Sequence, residues 1–280
     1  MSRIVNSVTE EVMRRTARRC RERGIVVPTL AQLRDPDRAP AQVRARLAGL
    51  PMDAVDPANL FRITWKNDRR TGLFGGPNFL EVPQAITGAR ARIVGLIGKH
   101  FPTGAHKVGA AFGCLVPRLV SGAFDPDRHR AVWPSTGNYC RGGAFDSAIL
   151  GCTAVAVLPE NMSRERFAWL SEIGAQVVKT PGSESNVKEI YDECWRLRKD
   201  PANVVFNQFE ELGNPLWHYA VTGPAAEEVF RVVAGPSGRL AAWVSATGSA
   251  GTIAAGDYLK AVFPAARVVA SEALQCPTLL

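Results

Sequence analysis

From about residue 90 onward, short apolar runs alternate with helical stretches, and this alternation constrains the fold more than any other feature of the chain. The runs "ARIVGLIG" (91–98), "RAVWPS" (130–135), "TAVAVLP" (153–159), "AQVVKT" (175–180), "NVVFNQ" (203–208), "LAAWVSA" (240–246) and "ARVVASEA" (266–273) read as strands. Between them lie helical patterns. "KVGAAFGCLVPRLVSG" ends at Gly122, and "YCRGGAFDSAIL" is closed by Gly151. "SRERFAWLSEIG" is capped by Ser163 and stopped by Gly174. Three more follow, in "NVKEIYDECWRLRK", in the stretch through Phe230, and in "TIAAGDYLKAVF". Apolar runs of about five to seven residues separated by helices predict parallel strands covered on both faces. The expected fold class is therefore α/β, built on open sheets.

Residues 1–58 follow a different pattern. A basic helix over about 8–23 leads into "DPDRAPAQVRARLAGLPMDAVDPAN", and the spacing predicts an N-terminal helical extension wrapped on the main body, with a boundary near residue 59. The first 50 residues hold 11 arginines and no lysine against five acids, so most of the net charge of +8 lies there. A nucleic-acid-binding arm has this charge pattern, and so does a solvated helix. No aromatic residue interleaves the arginines as a single-strand stacking surface requires. No apolar run reaches the roughly 18 residues of a membrane span, and the N-terminus lacks the apolar core of a secretion signal. The six cysteines are scattered without a CxxC pair and read as the reduced thiols of a cytoplasmic protein. The four histidines are not spaced as metal ligands, so no metal is expected.

Three loops carry unusual chemistry, each at a strand's carboxyl end, where open α/β sheets bind ligands. "PTGAHK" puts His106 and Lys107 at the start of a helix. Burial and the positive end of the helix dipole both disfavour an ammonium, so the pKa of Lys107 should fall, leaving an amine able to attack an aldehyde. "PSTGNYCRGG" offers Ser135, Thr136, Gly137 and Asn138 at another helix start, a set suited to a carboxylate. "SATGSAGTIAAG" presents small residues whose N–H groups can nest a phosphate. Each loop also has a plainer reading: a snorkelling lysine, a helix cap, or a tight turn. The third loop lacks the GxGxxG spacing of a nicotinamide fingerprint, and no P-loop occurs. Taken together they supply an aldehyde trap, a carboxylate cradle and a phosphate cradle, the needs of pyridoxal phosphate acting on an amino acid.

At these residues the chain resembles the pyridoxal-phosphate enzymes of the tryptophan synthase β and cysteine synthase-like family. "TGAHK" (103–107) looks like the lysine motif of tryptophan synthase β subunits, and "STGN" (135–138) resembles the carboxylate loop of cysteine synthases. "NQFEELGNPLWHYAVTGPAAEE" (207–228) is similar to a cysteine synthase segment, and "GSAGT" (248–252) resembles the phosphate loop, with Ser249 and Ala250 as departures. The resemblance implies a tryptophan synthase β-like fold of two open, mostly parallel sheets with helices on both faces. It places a smaller domain over 97–209, and a larger one over 59–96 plus 210–280 that is incomplete at its C-terminal end. Chain beyond residue 280, including the partner of the pyridine nitrogen, is accordingly expected.

The resemblance also implies roles. Lys107 would be the Schiff-base lysine and the base that moves the α-proton. His106, Asn138, Gly248, Ser249, Ala250, Gly251 and Thr252 would hold the cofactor. Ser135, Thr136, Gly137, Asn138, Gln208 and Phe209 would hold the substrate. The implied reaction is β-replacement or β-elimination on an amino acid such as an activated serine or cysteine, through an aminoacrylate, in a cytoplasmic lyase or transferase of amino-acid metabolism. Its partner would be a small-molecule amino acid, with neither nucleic acid nor membrane, and the full-length form would be a homodimer. Tyr139 stands where cysteine synthases have a small residue and is expected to narrow the pocket. A nicotinamide-dependent dehydrogenase and a basic nucleic-acid-binding module acting through residues 1–50 are the rival readings.

Overall fold

The computed structural model describes residues 2–183, 187–249 and 251–274. In chain order the elements begin with α1 (Ser2–Glu22), α2 (Leu30–Arg34), α3 (Ala41–Leu47), β1 (Phe79–Val82), α4 (Gln84–Thr87) and β2 (Ile93–Leu96). They continue with α5 (Lys107–Val120), β3 (Arg130–Pro134), α6 (Asn138–Leu150), β4 (Thr153–Pro159), α7 (Arg164–Glu172), β5 (Gln176–Thr180), α8 (Val187–Leu197) and β6 (Asn203–Val205). The last are α9 (Gly213–Trp217), a π-helical turn (His218–Thr222), α10 (Gly223–Ala234), β7 (Ala242–Ala246), α11 (Ile253–Val262) and β8 (Arg267–Ser271).

The chain divides into two units. The first comprises Met1–Val27, Val55–Leu60 and Lys107–Asn214. Its sheet has the order β5-β4-β3-β6, all parallel, with Val132 beside Val155 and Val205 in register. Alternation along the strands sends side chains to two faces. On one face Val132, Val155, Val157 and Val205 pack against Ile190 and Cys194 of α8. On the other, the Trp133 indole donates to Ser147 Oγ of α6 at 3.1 Å and stacks on Phe206. Helices α5 and α6 pack closely on each other. Gly142 makes that approach possible: a Cβ there would sit 2.6 Å from the Val108 Cα atom.

The second unit comprises Pro28–Ala54, Phe61–His106 and Pro215–Leu280. It carries two small sheets. In one, β7 and β8 run parallel, with Trp243 beside Val268 and Val244 beside Val269. Trp243 and Val268 face α11, where a Cβ on Gly256 would lie within 3 Å of both. Val244 and Val269 are on the opposite face and stay exposed. In the other, β1 pairs antiparallel with β2. The run at 91–98 was expected as a buried parallel strand. It is instead half-exposed, because its one partner is the hairpin-like β1 and alternate residues face solvent.

The segment before residue 59 departs from the single extension expected, since its parts belong to different units. Helix α1 joins the first unit through Arg15, which pairs with Asp125 at 2.5 Å and Asp127 at 3.0 Å, and through Arg19, which pairs with Asp127. Residues 28–54 join the second. There the buried Arg62 guanidinium donates to the carbonyls of Leu47, Leu50 and Gly72, each at 2.8 Å. The bonds to Leu47 and Leu50 satisfy carbonyls left open where α3 ends.

Candidate functional site

Lys107 opens α5 in the first unit. The residues behind it, Val108, Gly109, Ala110, Ala111 and Phe112, are all buried, so the helix starts inside the core. Its ammonium donates to Gln208 Oε1 at 2.9 Å. Burial removes the water that would solvate the charge, and it lowers the Lys107 pKa from 10.5 to about 8. The amine therefore loses its proton far more readily near physiological pH than an exposed lysine does. Gln208 is itself held, since its carbonyl accepts from the Asn214 side chain at 3.0 Å. Phe209, expected beside it, turns its ring toward Tyr191 of α8 and is 47% exposed.

The loop between β3 and α6 is built by its own side chains. Ser135 Oγ accepts from the Gly137 amide at 3.1 Å, and the Cys140 thiol donates to the Gly137 carbonyl. Arg166 of α7 donates to the Thr136 carbonyl at 3.0 Å. Asn138 is exposed at the first position of α6, a helix of 13 residues. Free amides at that end suit a carboxylate. Arg166 escaped the sequence reading. Its signal was a cation in the first turn of a helix, which runs against the helix dipole and needs another reason.

The Tyr139 side chain is taken into the core of the first unit. Its ring is buried edge-on to Trp133, and its hydroxyl lies against Cys114 of α5, so the bulk is absorbed between two helices. Two turns along α6, Asp146 is fully buried and neither carboxylate oxygen has a hydrogen-bond partner among the described residues. Burial pushes its pKa well above the ordinary carboxylate value.

In the second unit, β7 leads into the loop at 248–252, of which Ala250 lies outside the described residues. A side chain on Gly248 would meet nothing within 4 Å, so the backbone there is open to a ligand. Thr252 precedes α11, with its hydroxyl on Ser245 and its carbonyl accepting from the Trp243 indole at 3.0 Å. His106 also belongs to this unit. It stacks on Trp65 with ring centroids 5.6 Å apart and meets the edge of His218 at 5.4 Å. His218 and Thr222 lie in the 207–228 segment but carry no role legible from sequence, and nothing in the sequence marks Trp65.

Among the described residues no group of His, Cys, Asp or Glu could hold a metal, and no helix is long and apolar enough to cross a membrane. The donor set fits pyridoxal phosphate instead. The first unit by itself offers a buried amine of lowered pKa suited to an aldehyde, and the second by itself offers an open backbone at Gly248 ahead of a helix, suited to a phosphate.

Comparison with known proteins agrees. Residues 98–280 match the family model described as "Pyridoxal-phosphate dependent enzyme". A probable cysteine synthase of Bacillus subtilis is 31% identical over 179 residues, 64% of this chain and 56% of that protein. A cysteine synthase of Staphylococcus aureus is 30% identical over 213 residues, 76% of this chain and 66% of that protein. The chain therefore spans between about half and two thirds of the length of these curated relatives. A hydrogen sulfide-producing enzyme of Fusobacterium nucleatum superposes with a TM-score of 0.62 at 22% identity, covering 72% of this chain and 65% of that one. That likeness supports the α/β fold read from the alternating pattern. The buried lysine, the glycine loop and the match over residues 98–280 lead to one conclusion: the chain belongs to the pyridoxal-phosphate dependent enzyme family.

Proposed function

We propose that the whole protein catalyses β-replacement or β-elimination on an amino acid of the activated-serine or cysteine class. The observation that carries this reading is the buried Lys107 amine, held by Gln208 and lowered to about pKa 8, in a chain whose relatives include cysteine synthases. When bound, pyridoxal phosphate supplies an aldehyde for the amine and an electron sink for the α-carbon. The chain supplies the rest. Lys107 with its proton lost is a nucleophile toward the aldehyde, and once displaced by substrate it can take a proton at Nζ and return it. Gln208 fixes where that nitrogen points.

Ser135, Thr136, Gly137 and Asn138 would receive the substrate carboxylate, with Arg166 holding the loop in shape. Gly248, Ser249, Ala250, Gly251 and Thr252 would receive the phosphate, and His106 would contact the phosphate. Phe209 would border the substrate. The partner is a small-molecule amino acid, and the full-length form is proposed to be a homodimer.

The test is spectroscopic and chemical. Purified protein given pyridoxal phosphate should develop a visible band, and borohydride reduction should fix the adduct on the peptide containing Lys107. An adduct on Lys99 or Lys260 would overturn the assignment. Adding O-acetylserine or cysteine should then perturb the band and release acetate or sulfide.

A further inference from the structure

Resting on that reading of Lys107, we infer that Thr222 is a positioning residue: its hydroxyl joins Trp65 to His218 and thereby clamps His106, the residue before the lysine. The geometry lies within the second unit. The Trp65 indole N–H donates to Thr222 Oγ1 at 2.8 Å, and the same oxygen lies 2.9 Å from His218 Nδ1. An indole nitrogen can only donate, whereas a hydroxyl accepts and also has one proton to give. Thr222 accepts from Trp65, and the inference assigns the hydroxyl's own proton to His218 Nδ1. His218 is then the tautomer protonated on Nε2.

Both rings so joined are the rings that touch His106. Trp65 lies on its face, with 22° between the planes, and His218 meets it at 70°. Trp65, Thr222 and His218 are all buried. The π-helical turn contributes directly. The Gly223 amide bonds to the His218 carbonyl, five residues back, so His218 and Thr222 share one wide turn. Such turns interrupt regular helices at a cost and recur at functional sites. Losing the one hydroxyl therefore loosens both walls around His106 at once, the residue that precedes Lys107 in the chain.

Three measurements test this. In the unmodified protein without cofactor, 15N chemical shifts of the His218 ring should show Nδ1 as acceptor. A protonated Nδ1 would overturn the inference without any substitution. Thr222→Val should weaken pyridoxal phosphate binding about tenfold, the scale of one buried hydrogen bond, and should mix the His218 tautomers. Thr222→Ser, which keeps the hydroxyl, should bind within about twofold of the unmodified protein. A serine variant as weak as the valine variant means that shape matters and the hydroxyl does not, which sinks the proposal. So does a valine variant of unchanged affinity. Trp65→Phe keeps an aromatic ring against His106 and removes the donor along with part of the ring area. It should mix the tautomers with a smaller loss of binding. An adduct on another lysine would remove the cofactor reading while the tautomer result still judged the hydrogen-bond chain.

Discussion

The four-stranded sheet of the first unit and the β7–β8 pair of the second are written in the same sequence language, yet they are buried differently. Both are parallel strands of alternating apolar side chains. In the first, α6 covers one face and α8 the other, and Val157 is completely buried. In the second, α11 covers the Trp243–Val268 face, while Val244 and Val269 are 63% and 41% exposed. An apolar run thus encodes a strand, whereas its burial depends on how many helical layers reach it. Apolar area removed from water contributes roughly 25 cal/mol per Å², so equal side chains stabilise the two sheets unequally.

Aspartate substitutions should break the likeness most sharply. Val157→Asp places a carboxylate in a dry face and should cost roughly 4 kcal/mol or more, ending cooperative unfolding in urea. Glycine positions give the next contrast. Gly142→Ala drives a methyl into the start of α5 and should cost about 1–3 kcal/mol while lowering cofactor loading. Gly248→Ala meets open space and should leave the melting temperature nearly unchanged.

The sealed first unit also encloses Asp146, whose folded pKa is raised by burial. A raised acid keeps its proton when folded and loses it when unfolded, so its stability contribution is present below the unfolded value and lost as pH rises. The margin of the unmodified protein over Asp146→Asn should fall with rising pH above about pH 4, by no more than about 1.4 kcal/mol per pH unit. Urea titrations at several pH values would read it, and a margin that grows with pH would mean a charged, paired carboxylate. The smallest effect belongs to the open face. Val244→Asp should change stability within about 0.5 kcal/mol, and a larger loss would show that this face is covered after all.

The same contrast explains what could be read in advance. Strand and helix alternation, the Gly151 and Gly174 helix stops, the Ser163 cap and the placement of Lys107 at a helix start are local signals, and each has a counterpart in the structure. Cover and partnership are not local. The β1 strand went unread because four residues followed by a helix of only four carry little pattern. Tyr139 looked like a pocket residue by its place in a motif, but the direction of its ring depends on α5. The Trp65–Thr222 bond spans 157 positions, beyond any spacing rule. The basic N-terminus was ambiguous for the same reason. The acids that take up Arg15 and Arg19 lie more than 100 residues downstream.

The π-helical turn can also be viewed as an insertion. It holds one residue more than an α-helical path would need, and each residue of an α-helix advances about 100° around the axis. Everything after it is therefore rotated relative to a straight continuation of α9. That rotation brings Gly223 onto the Tyr258 ring, where a Cβ would lie 2.7 Å away, and lets the Tyr258 hydroxyl donate to Glu227 at 2.6 Å. Deleting a single residue from 218–222 would act less like a shortening than like a turned key, swinging Glu227 off its partner and presenting a different stripe of α10 to α11. Length variation in a family tree should therefore avoid this turn, even where the surrounding loops gain and lose residues freely.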